Sequence, residues 1–254
     1  MSYDGDVSVF SPTGKVYQIS YAMEAPNLGT PTVGLTSKTH VVLVAIRRQT
    51  GPLNAYQSKL FEVDKHVGIC ISGIYADARK MLRLLRDECT EYSYTFDQPH
   101  PIAPLIAKLA DDAQARTQLA GYRPYGASLL IGGIDTHDSK KVPCLFTLTP
   151  DACFREYRAV ALGNGSQTIN TRLRSFVNAL EGASLEELIR IGIESIGSGL
   201  RDARPTTENV SIAVLSCADA AFRMLTQEEV TPYIEAFNAA HPRTNFEEDS
   251  DNLD

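Results

Sequence analysis

The chain has 254 residues, 43% of them hydrophobic, which is enough for one large core or two small ones. It lacks both a run of the roughly 18 apolar residues that a membrane helix needs and the clustered lysines and arginines of a nucleic-acid surface. The formal net charge is −7, and most of that imbalance comes from five acidic residues within the last eight positions.

The chain contains no obvious linker, which predicts a single domain over 1–240 followed by an acidic tail over 241–254. We expect the tail to be disordered and solvated. The N-terminus shows no basic-then-apolar pattern, so we predict no signal peptide and an intracellular protein. Five scattered cysteines without a CxxC pair favour reduced core thiols over disulfides or a metal site.

The N-terminal segment over 1–29 begins as a loop and continues as a short helix. Pro12 and Gly14 predict a turn, because proline presets φ at the first central position and glycine accepts positive φ. From Tyr17 onward apolar residues recur at helical spacing, and Pro26 should end or kink the helix one residue earlier. One interpretation is an amphipathic helix packed on its own domain.

Beyond this segment, groups of strands alternate with pairs of helices. Strands are predicted over 32–37, 41–46, 60–63, 67–72, 127–134, 142–148, 153–157, 159–162, 210–215 and 221–225. Helices are predicted from Gly73, after Pro104, around 169–177, after a Ser184–Glu187 capping box, and from Thr231 with Pro232 in the first turn. This segregated order favours an α+β fold in which two stacked sheets carry helix pairs on their outer faces.

Conventional catalytic and cofactor motifs are missing from the sequence. It contains no GxSxG, no P-loop, no GxGxxG after a strand and no HExxH, so we expect neither a cofactor nor a metal. The histidines share no ligand spacing and are interpreted as surface or loop residues: His40, His66, His100, His137 and His241.

The N-terminal segment resembles the signature of the alpha subunits of the proteasome core particle. The matching residues are Tyr3, Asp4, Phe10, Ser11, Pro12, Gly14, Gln18, Tyr21, Ala22, Glu24 and Ala25. Lys15 and Ser20 stand where the family usually has Arg and Glu. The similarity covers nearly the whole chain. Tyr-Asp-Gly-Asp at 3–6, Ser-Lys-Thr-His at 37–40 and Arg-Pro-Tyr-Gly at 123–126 make it most similar to one branch of the family.

The resemblance implies a four-layer αββα sandwich, the fold of the N-terminal nucleophile hydrolases. Catalytic beta subunits of the same particle use a threonine exposed by cleavage after a glycine, with its own α-amino group as the base. Thr30 stands in that place, but it is internal, and Arg47 occupies the position of the carboxylate that should hold the aligned Lys59. We therefore expect no catalytic residues, with an autoprocessed threonine hydrolase using Thr30 as the alternative.

The resemblance also implies a gate cluster. Tyr3, Asp4, Pro12 and Tyr21 match residues that hold the entry pore of the particle open. Gly5 replaces an Arg found next to the Asp in many family members. This departure, with only two residues before Tyr3, bears on how much of the closed gate the chain supplies.

A second implied site is a pocket for the C-terminal tail of an activator. Lys59 matches the lysine that binds the tail's carboxylate between adjacent alpha subunits, a charge-assisted contact. Gly29 and Ile74 match the turn and the apolar wall beside it. Without the resemblance, Lys59 would be interpreted as an ordinary surface lysine.

The resemblance thus predicts a non-catalytic structural and gating subunit of the outer alpha ring, in the cytoplasm and nucleus, that supports ubiquitin-dependent and other proteasomal degradation. Its implied partners are lateral alpha subunits in a heteroheptameric ring, axial beta subunits, tails of a regulatory particle or activator, and unfolded polypeptides in transit. Nucleic acid and membranes are not expected partners. The remaining alternative is a free-standing binding module of the same fold.

Overall fold

The computed structural model describes residues 5–49, 51, 53–137, 140–200 and 204–242. The strands are β1 (Thr32–Thr36), β2 (His40–Ile46), β3 (Leu60–Asp64), β4 (Val67–Gly73), β5 (Ala127–His137), β6 (Lys140–Leu148), β7 (Phe154–Glu156), β8 (Ala159–Leu162), β9 (Val210–Ser216) and β10 (Phe222–Met224). The helices are α1 (Tyr17–Glu24), α2 (Tyr75–Phe96), α3 (Ile102–Gln118), α4 (Ser166–Ser175), α5 (Val177–Leu180), α6 (Leu185–Ser198) and α7 (Gln227–Ala240).

These strands form two five-stranded antiparallel sheets. The first has the order β10-β9-β2-β1-β8 and the second the order β3-β4-β5-β6-β7. The sequence of β2 fits this arrangement. Its even-numbered residues, Val42, Val44 and Ile46, pack with α4, α6 and α7. The odd-numbered residues face the second sheet. A strand covered on both faces needs such a continuous apolar run, since successive side chains point to opposite faces.

A third apolar cluster joins the outer face of the second sheet to α2 and α3. The three clusters separate four layers, so the predicted αββα sandwich is confirmed. Each helix among the described residues is either too short or too polar to span a bilayer. The same residues contain no group of His, Cys, Asp and Glu side chains that could hold a metal ion. The tail predicted over 241–254 falls outside the description from residue 243 onward.

Two helix starts differ from the sequence prediction. Helix α3 begins at Ile102 and includes Pro104 as its third residue, which is tolerated because the first four N–H groups of a helix lack intrahelical partners. Helix α7 begins at Gln227 with Thr226 as its N-cap and a capping box to Glu229. The prediction that Thr231 starts this helix was wrong, and Pro232 lies inside it.

Burial corrects the interpretation of two histidines. His66 and His100 lie in loops, as predicted, but they are only 7% and 3% exposed and so are not surface residues. The His66 ring donates from Nε2 to the His100 carbonyl at 2.8 Å, and the His100 ring donates from Nδ1 to the Pro101 carbonyl at 2.8 Å. These bonds satisfy ring nitrogens that burial would otherwise penalise. The side chain of His137 lies outside the described residues.

The cysteines and α1 also depart partly from expectation. All five cysteines are free, and Cys70, Cys89 and Cys144 are buried; the other two are Cys153, which is exposed, and Cys217, which is half-buried. The core-thiol prediction is therefore wrong for those two. Helix α1 has no fully buried residue, but Ile19, Ala22 and Met23 are half-buried while Ser20, Tyr21 and Glu24 are exposed, so the helix is amphipathic and only partly covered in the single chain.

Candidate functional site

A pocket of about 320 Å³ lies where the segment before β1, the end of β2, the β3–β4 pair and the start of α2 meet. It is lined by Ala25, Leu28, Gly29, Thr30, Arg48, Gln57, Lys59, Ile71, Gly73, Ile74 and Tyr75. Gly29, Lys59 and Ile74, the residues predicted as the activator-tail pocket, all belong to this lining. The fold thus brings together three residues that are well separated in sequence.

Lys59 is the buried cation of the pocket. Its side chain precedes β3, is 8% exposed, and donates from Nζ to Thr30 Oγ1 at 2.9 Å and to the Thr30 carbonyl. Burial lowers the pKa of Lys59 from 10.5 to about 8, because a poorly solvated environment disfavours the charged form. The alternative of an ordinary surface lysine is therefore wrong.

The charge of Lys59 has no counter-ion within the described part of the chain. No carboxylate there forms an ion pair with it, and the titratable group that acts on it is Cys70 of β4. Burial raises the pKa of Cys70 to about 11, so this thiol stays neutral at physiological pH. The other cation in the lining is Arg48, which adds positive charge. As far as the described residues go, the pocket therefore presents a positive charge without a compensating carboxylate.

Gly29 allows the pocket floor to approach β4 closely. A Cβ on Gly29 would lie 2.6 Å from Ser72 Oγ and 2.9 Å from the Gly73 nitrogen, closer than real Cβ contacts. The Asn164 N–H donates to the Gly29 carbonyl at 2.7 Å, and Ser72 Oγ donates to the Pro26 carbonyl at 2.9 Å. The turn after α1 is thus fixed on two sides.

Ile74 forms an apolar wall with 44% of its surface exposed. Its N–H donates to the Gly126 carbonyl at 2.8 Å. A Cβ on Gly126 would lie 2.6 Å from Ile74 Cδ1. The Arg-Pro-Tyr-Gly sequence at 123–126 therefore supports this wall from behind.

Thr30 and Lys59 meet, but the rest of a threonine-hydrolase site does not assemble around them. Thr30 Oγ1 donates to the Ile46 carbonyl at 2.6 Å, and the Thr30 nitrogen is in a peptide bond to Gly29. The Arg47 guanidinium donates to the Glu208 carbonyl and lies 5.3 Å from the centre of the Tyr56 ring. The geometry supplies neither a free amine at Thr30 nor, among the described residues, a carboxylate for Lys59.

The structure describes two of the four residues predicted to form the gate cluster. Tyr3 and Asp4 lie outside the described residues. The predicted turn at Pro12 is confirmed: the Gly14 N–H donates to the Ser11 carbonyl at 2.8 Å, and Gly14 has φ of 74°. Tyr21 is 54% exposed, and its ring stacks on that of Tyr17 with centroids 6.2 Å apart. Pro12 and Tyr21 are both on the surface.

Sequence reasoning missed three polar members of the lining: Arg48, Gln57 and Tyr75. The Gln57 N–H donates to the Arg48 carbonyl at 3.1 Å, which joins two segments of the pocket lining. The only signal for Arg48 was its position next to Arg47. Neither periodicity nor a motif pointed to the other two.

Comparison with known proteins shows the family to which this fold belongs. The family described as "Proteasome subunit" matches residues 26–215, and the N-terminal signature of the A-type proteasome subunits matches residues 3–25. The chain is 36% identical over 246 residues to the alpha type-1 proteasome subunit of Dictyostelium discoideum, covering 94% of this chain and 96% of that protein. It is 37% identical over 240 residues to the alpha type-1 subunit of Drosophila melanogaster, covering 91% and 83%.

A third relative, the alpha type-6 proteasome subunit of Saccharomyces cerevisiae, is 38% identical over 236 residues, covering 92% of this chain and 98% of that protein. Two of these three relatives carry the type-1 name, which agrees with the branch indicated by the short sequences at 3–6, 37–40 and 123–126. The matches span the N-terminal signature and the sandwich alike. The chain therefore belongs to the proteasome subunit family as an alpha subunit, a structural component of the outer ring that assembles with other proteasome subunits.

Proposed function

We propose that this alpha subunit is non-catalytic, contributes to the gate of the alpha ring, and docks the C-terminal tail of an activator in the pocket of Gly29, Lys59 and Ile74. The observation that carries the docking proposal is the buried ammonium of Lys59, which has no counter-ion among the described residues. Buried charges are rare in proteins unless they are paired or functional. An incoming carboxylate supplies the missing negative charge.

The shape of the pocket supports a peptide end as the ligand. Ile74 and Leu28, 44% and 83% exposed, offer apolar surface next to the cation. An apolar side chain near a free C-terminus would cover this surface while its carboxylate reaches Lys59. Charge-assisted bonds of this kind are stronger than neutral hydrogen bonds.

The gate proposal rests on the resemblance of Tyr3, Asp4, Pro12 and Tyr21, and is supported by the exposure of Tyr21 and the turn at Pro12. In a reconstituted core, Tyr21→Phe should lower activator-stimulated peptide hydrolysis, because the hydroxyl that contacts a neighbouring subunit is lost. Tyr17→Phe, one turn earlier in α1, is the matched control and should leave the rate unchanged. Equal rates for wild type and Tyr21→Phe would contradict the gate proposal.

The docking proposal is tested with Lys59→Ala in a reconstituted core, using a labelled peptide with the C-terminal sequence of a proteasome activator. We expect weaker binding than in the wild type and little difference between the free-acid and the amidated peptide. Lys38→Ala is the matched control, because Lys38 is 72% exposed and pairs with Glu181 on the surface. Wild-type affinity in Lys59→Ala would overturn the docking proposal.

The non-catalytic proposal is tested by the intact mass of this chain in native particles. A chain that retains the residues before Thr30 cannot present a free threonine amine, as the proposal requires. A chain that starts at Thr30 would instead favour the threonine hydrolase. A chain found as a monomer outside any large particle would favour the free-standing binding module.

The proposed cellular role follows from the position of the subunit in the alpha ring. The subunit would contact lateral alpha neighbours in a heteroheptameric ring and axial beta subunits, and would help admit unfolded polypeptides to proteolytic sites on other chains. That role supports ubiquitin-dependent and other proteasomal degradation in the cytoplasm and nucleus. Fractionation of cells that express a tagged chain tests the location.

A further inference from the structure

We propose that Thr30 is the positioning residue of the docking pocket: its hydroxyl and carbonyl oxygens orient the Lys59 ammonium so that one N–H remains for an incoming carboxylate. This inference rests on the docking function proposed above and goes beyond it, because it assigns a role to the residue in the nucleophile's position. Thr30 is otherwise left without a function in a non-catalytic chain.

The inference rests on the number of N–H donors of the Lys59 ammonium. An ammonium has three N–H donors, and two of those of Lys59 point to Thr30, one to Oγ1 at 2.9 Å and one to the carbonyl oxygen. Among the described residues no other acceptor is hydrogen-bonded to this nitrogen. Since Lys59 lines the pocket, the remaining donor is the one available to a ligand there.

Thr30 is itself held firmly enough to serve as a reference point. Its hydroxyl donates to the Ile46 carbonyl at 2.6 Å, so the lone pairs of Oγ1 are left to accept from Lys59. On either side, the Gly29 carbonyl accepts from the Asn164 N–H at 2.7 Å, and the Pro31 carbonyl accepts from the Ile46 N–H at 3.1 Å. Backbone hydrogen bonds from Asn164 and from Ile46 of β2 therefore hold the segment around Thr30 in place. Thr30 in turn holds the Lys59 ammonium.

The physical gain is preorganisation. A lysine side chain has several rotatable bonds and loses conformational entropy when a ligand immobilises it. The two bonds to Thr30 impose that ordering before the ligand arrives, so less of the binding free energy is lost. A carboxylate then meets a single directed donor instead of a mobile charge.

The test compares Thr30→Val with Thr30→Ser in the reconstituted core. Valine keeps the approximate shape but removes the hydroxyl, whereas serine keeps the hydroxyl and removes the methyl group. The probe is the labelled activator peptide with a free C-terminal carboxylate, with its amidated copy as the reference. We expect Thr30→Val to bind the free acid about tenfold more weakly, the size of one hydrogen bond to a charged group, and Thr30→Ser to bind as the wild type does.

The pH profile of peptide binding separates positioning from a general structural effect. Thr30 accepts from the Lys59 ammonium, the neutral thiol of Cys70 acts on it from β4, and Arg48 and Tyr75 are the other titratable residues in the pocket lining. Thr30→Val removes an acceptor from the charged form of Lys59, so the midpoint at which binding is lost should move to lower pH. Thr30→Ser should keep the wild-type midpoint. A merely structural defect would weaken binding at every pH and leave the midpoint in place.

The outcomes distinguish a failure of the docking function from a failure of the proposed role of Thr30. If wild type binds free acid and amide equally, or Lys59→Ala binds normally, the docking function itself fails. If binding depends on Lys59 but Thr30→Val keeps both the wild-type affinity and midpoint, docking stands and the role of Thr30 is overturned. If Thr30→Val does not assemble, Thr30→Ala removes the same hydroxyl without a branched side chain, and the same comparison decides.

Discussion

Asp77 and Arg123 form a two-bond salt bridge that ties the first turn of α2 to the loop before β5. Arg123 Nη1 lies 2.5 Å from Asp77 Oδ2 and Nη2 lies 2.8 Å from Oδ1, while the Gly126 N–H donates to Oδ2 at 2.9 Å. Burial alone would raise the pKa of Asp77, but the bonds from Arg123 and Gly126 outweigh it and lower that pKa. Asp77 follows Ile74 by three residues, in the first turn of α2. The bridge therefore also holds the apolar wall of the pocket in place.

Arg123→Met should destabilise the chain at neutral pH, because it leaves Asp77, 8% exposed, with one fewer partner. Fully buried pairs lose ~3–5 kcal/mol when one partner is removed. The Arg123 side chain is 62% exposed, so solvent screening reduces the expected loss in the free energy of unfolding to about 1–2 kcal/mol. Urea denaturation of the purified chain measures it, with exposed Arg79→Met on the same helix as the control.

The pH dependence of that loss has a definite sign. A carboxyl whose folded pKa is lowered contributes stability above its ordinary value of 3.8, and the contribution disappears as the pH falls through the folded value. The difference between wild type and Arg123→Met should therefore be full at pH 7 and shrink below about pH 4. A difference that persists unchanged in acid would contradict a charge-based role for Arg123.

Sequence patterns predicted most of the fold because its core elements have strong periodicity. The continuous apolar run of β2 and the stripe of α2 are signals that tertiary packing reinforces. The start of α7 was missed because Thr231–Pro232 imitates an N-cap, while the capping box at Thr226 was overlooked. The burial of His66 and His100 in their loops was not predicted, because burial of a polar ring depends on carbonyl partners that no local pattern reveals.

The candidate site was predictable only in part. The resemblance placed Gly29, Lys59 and Ile74 together, and the structure brings them to one pocket. Periodicity and composition could not have done so, because the three lie on different elements. The bond between Thr30 and Lys59 depends on how the segment before β1 lies against the start of β3. That relationship appears only in three dimensions.

Gly29→Ala should displace the pocket floor, since the new Cβ would come within 2.9 Å of the Gly73 backbone nitrogen, which cannot move aside as a flexible side chain can. We expect a loss of about 1–3 kcal/mol, as for overpacking of a tight site, and weaker binding of the activator peptide. Gly182→Ala is the matched control, because a Cβ there meets nothing within 4 Å. Equal thermal stability of the two variants would contradict the close-approach argument.

Thr226→Ala should destabilise α7, because the Thr226 hydroxyl accepts from the Glu229 N–H and anchors the capping box. Loss of an N-cap typically costs about 1 kcal/mol. Thr231→Ala is the control at the site that the sequence pattern favoured, and it should cost less because its hydroxyl only bonds to the Gln227 carbonyl within the helix. Chemical denaturation compares the two, and a larger loss for Thr231→Ala would contradict the observed helix start.

Lys59→Met should make the purified chain more stable at neutral pH while removing its affinity for a carboxylate. In the unfolded chain this lysine keeps its ordinary pKa of 10.5, but burial lowers the pKa to about 8 in the folded chain. Between those values the unfolded state binds more protons, so the free energy of unfolding rises with pH across that window. Below about pH 8 the buried charge therefore lowers stability.

The methionine side chain removes this cost without leaving a large cavity. We expect a gain of about 1–3 kcal/mol at pH 7 that shrinks towards pH 10, where Lys59 is already neutral in the folded wild type. Urea denaturation at the two pH values measures it, with exposed Lys38→Met as the control. A variant less stable than the wild type at pH 7 would mean that the two bonds to Thr30 more than offset the desolvation of Lys59. A gain would show that the lysine is kept at the expense of stability, as expected of a binding residue.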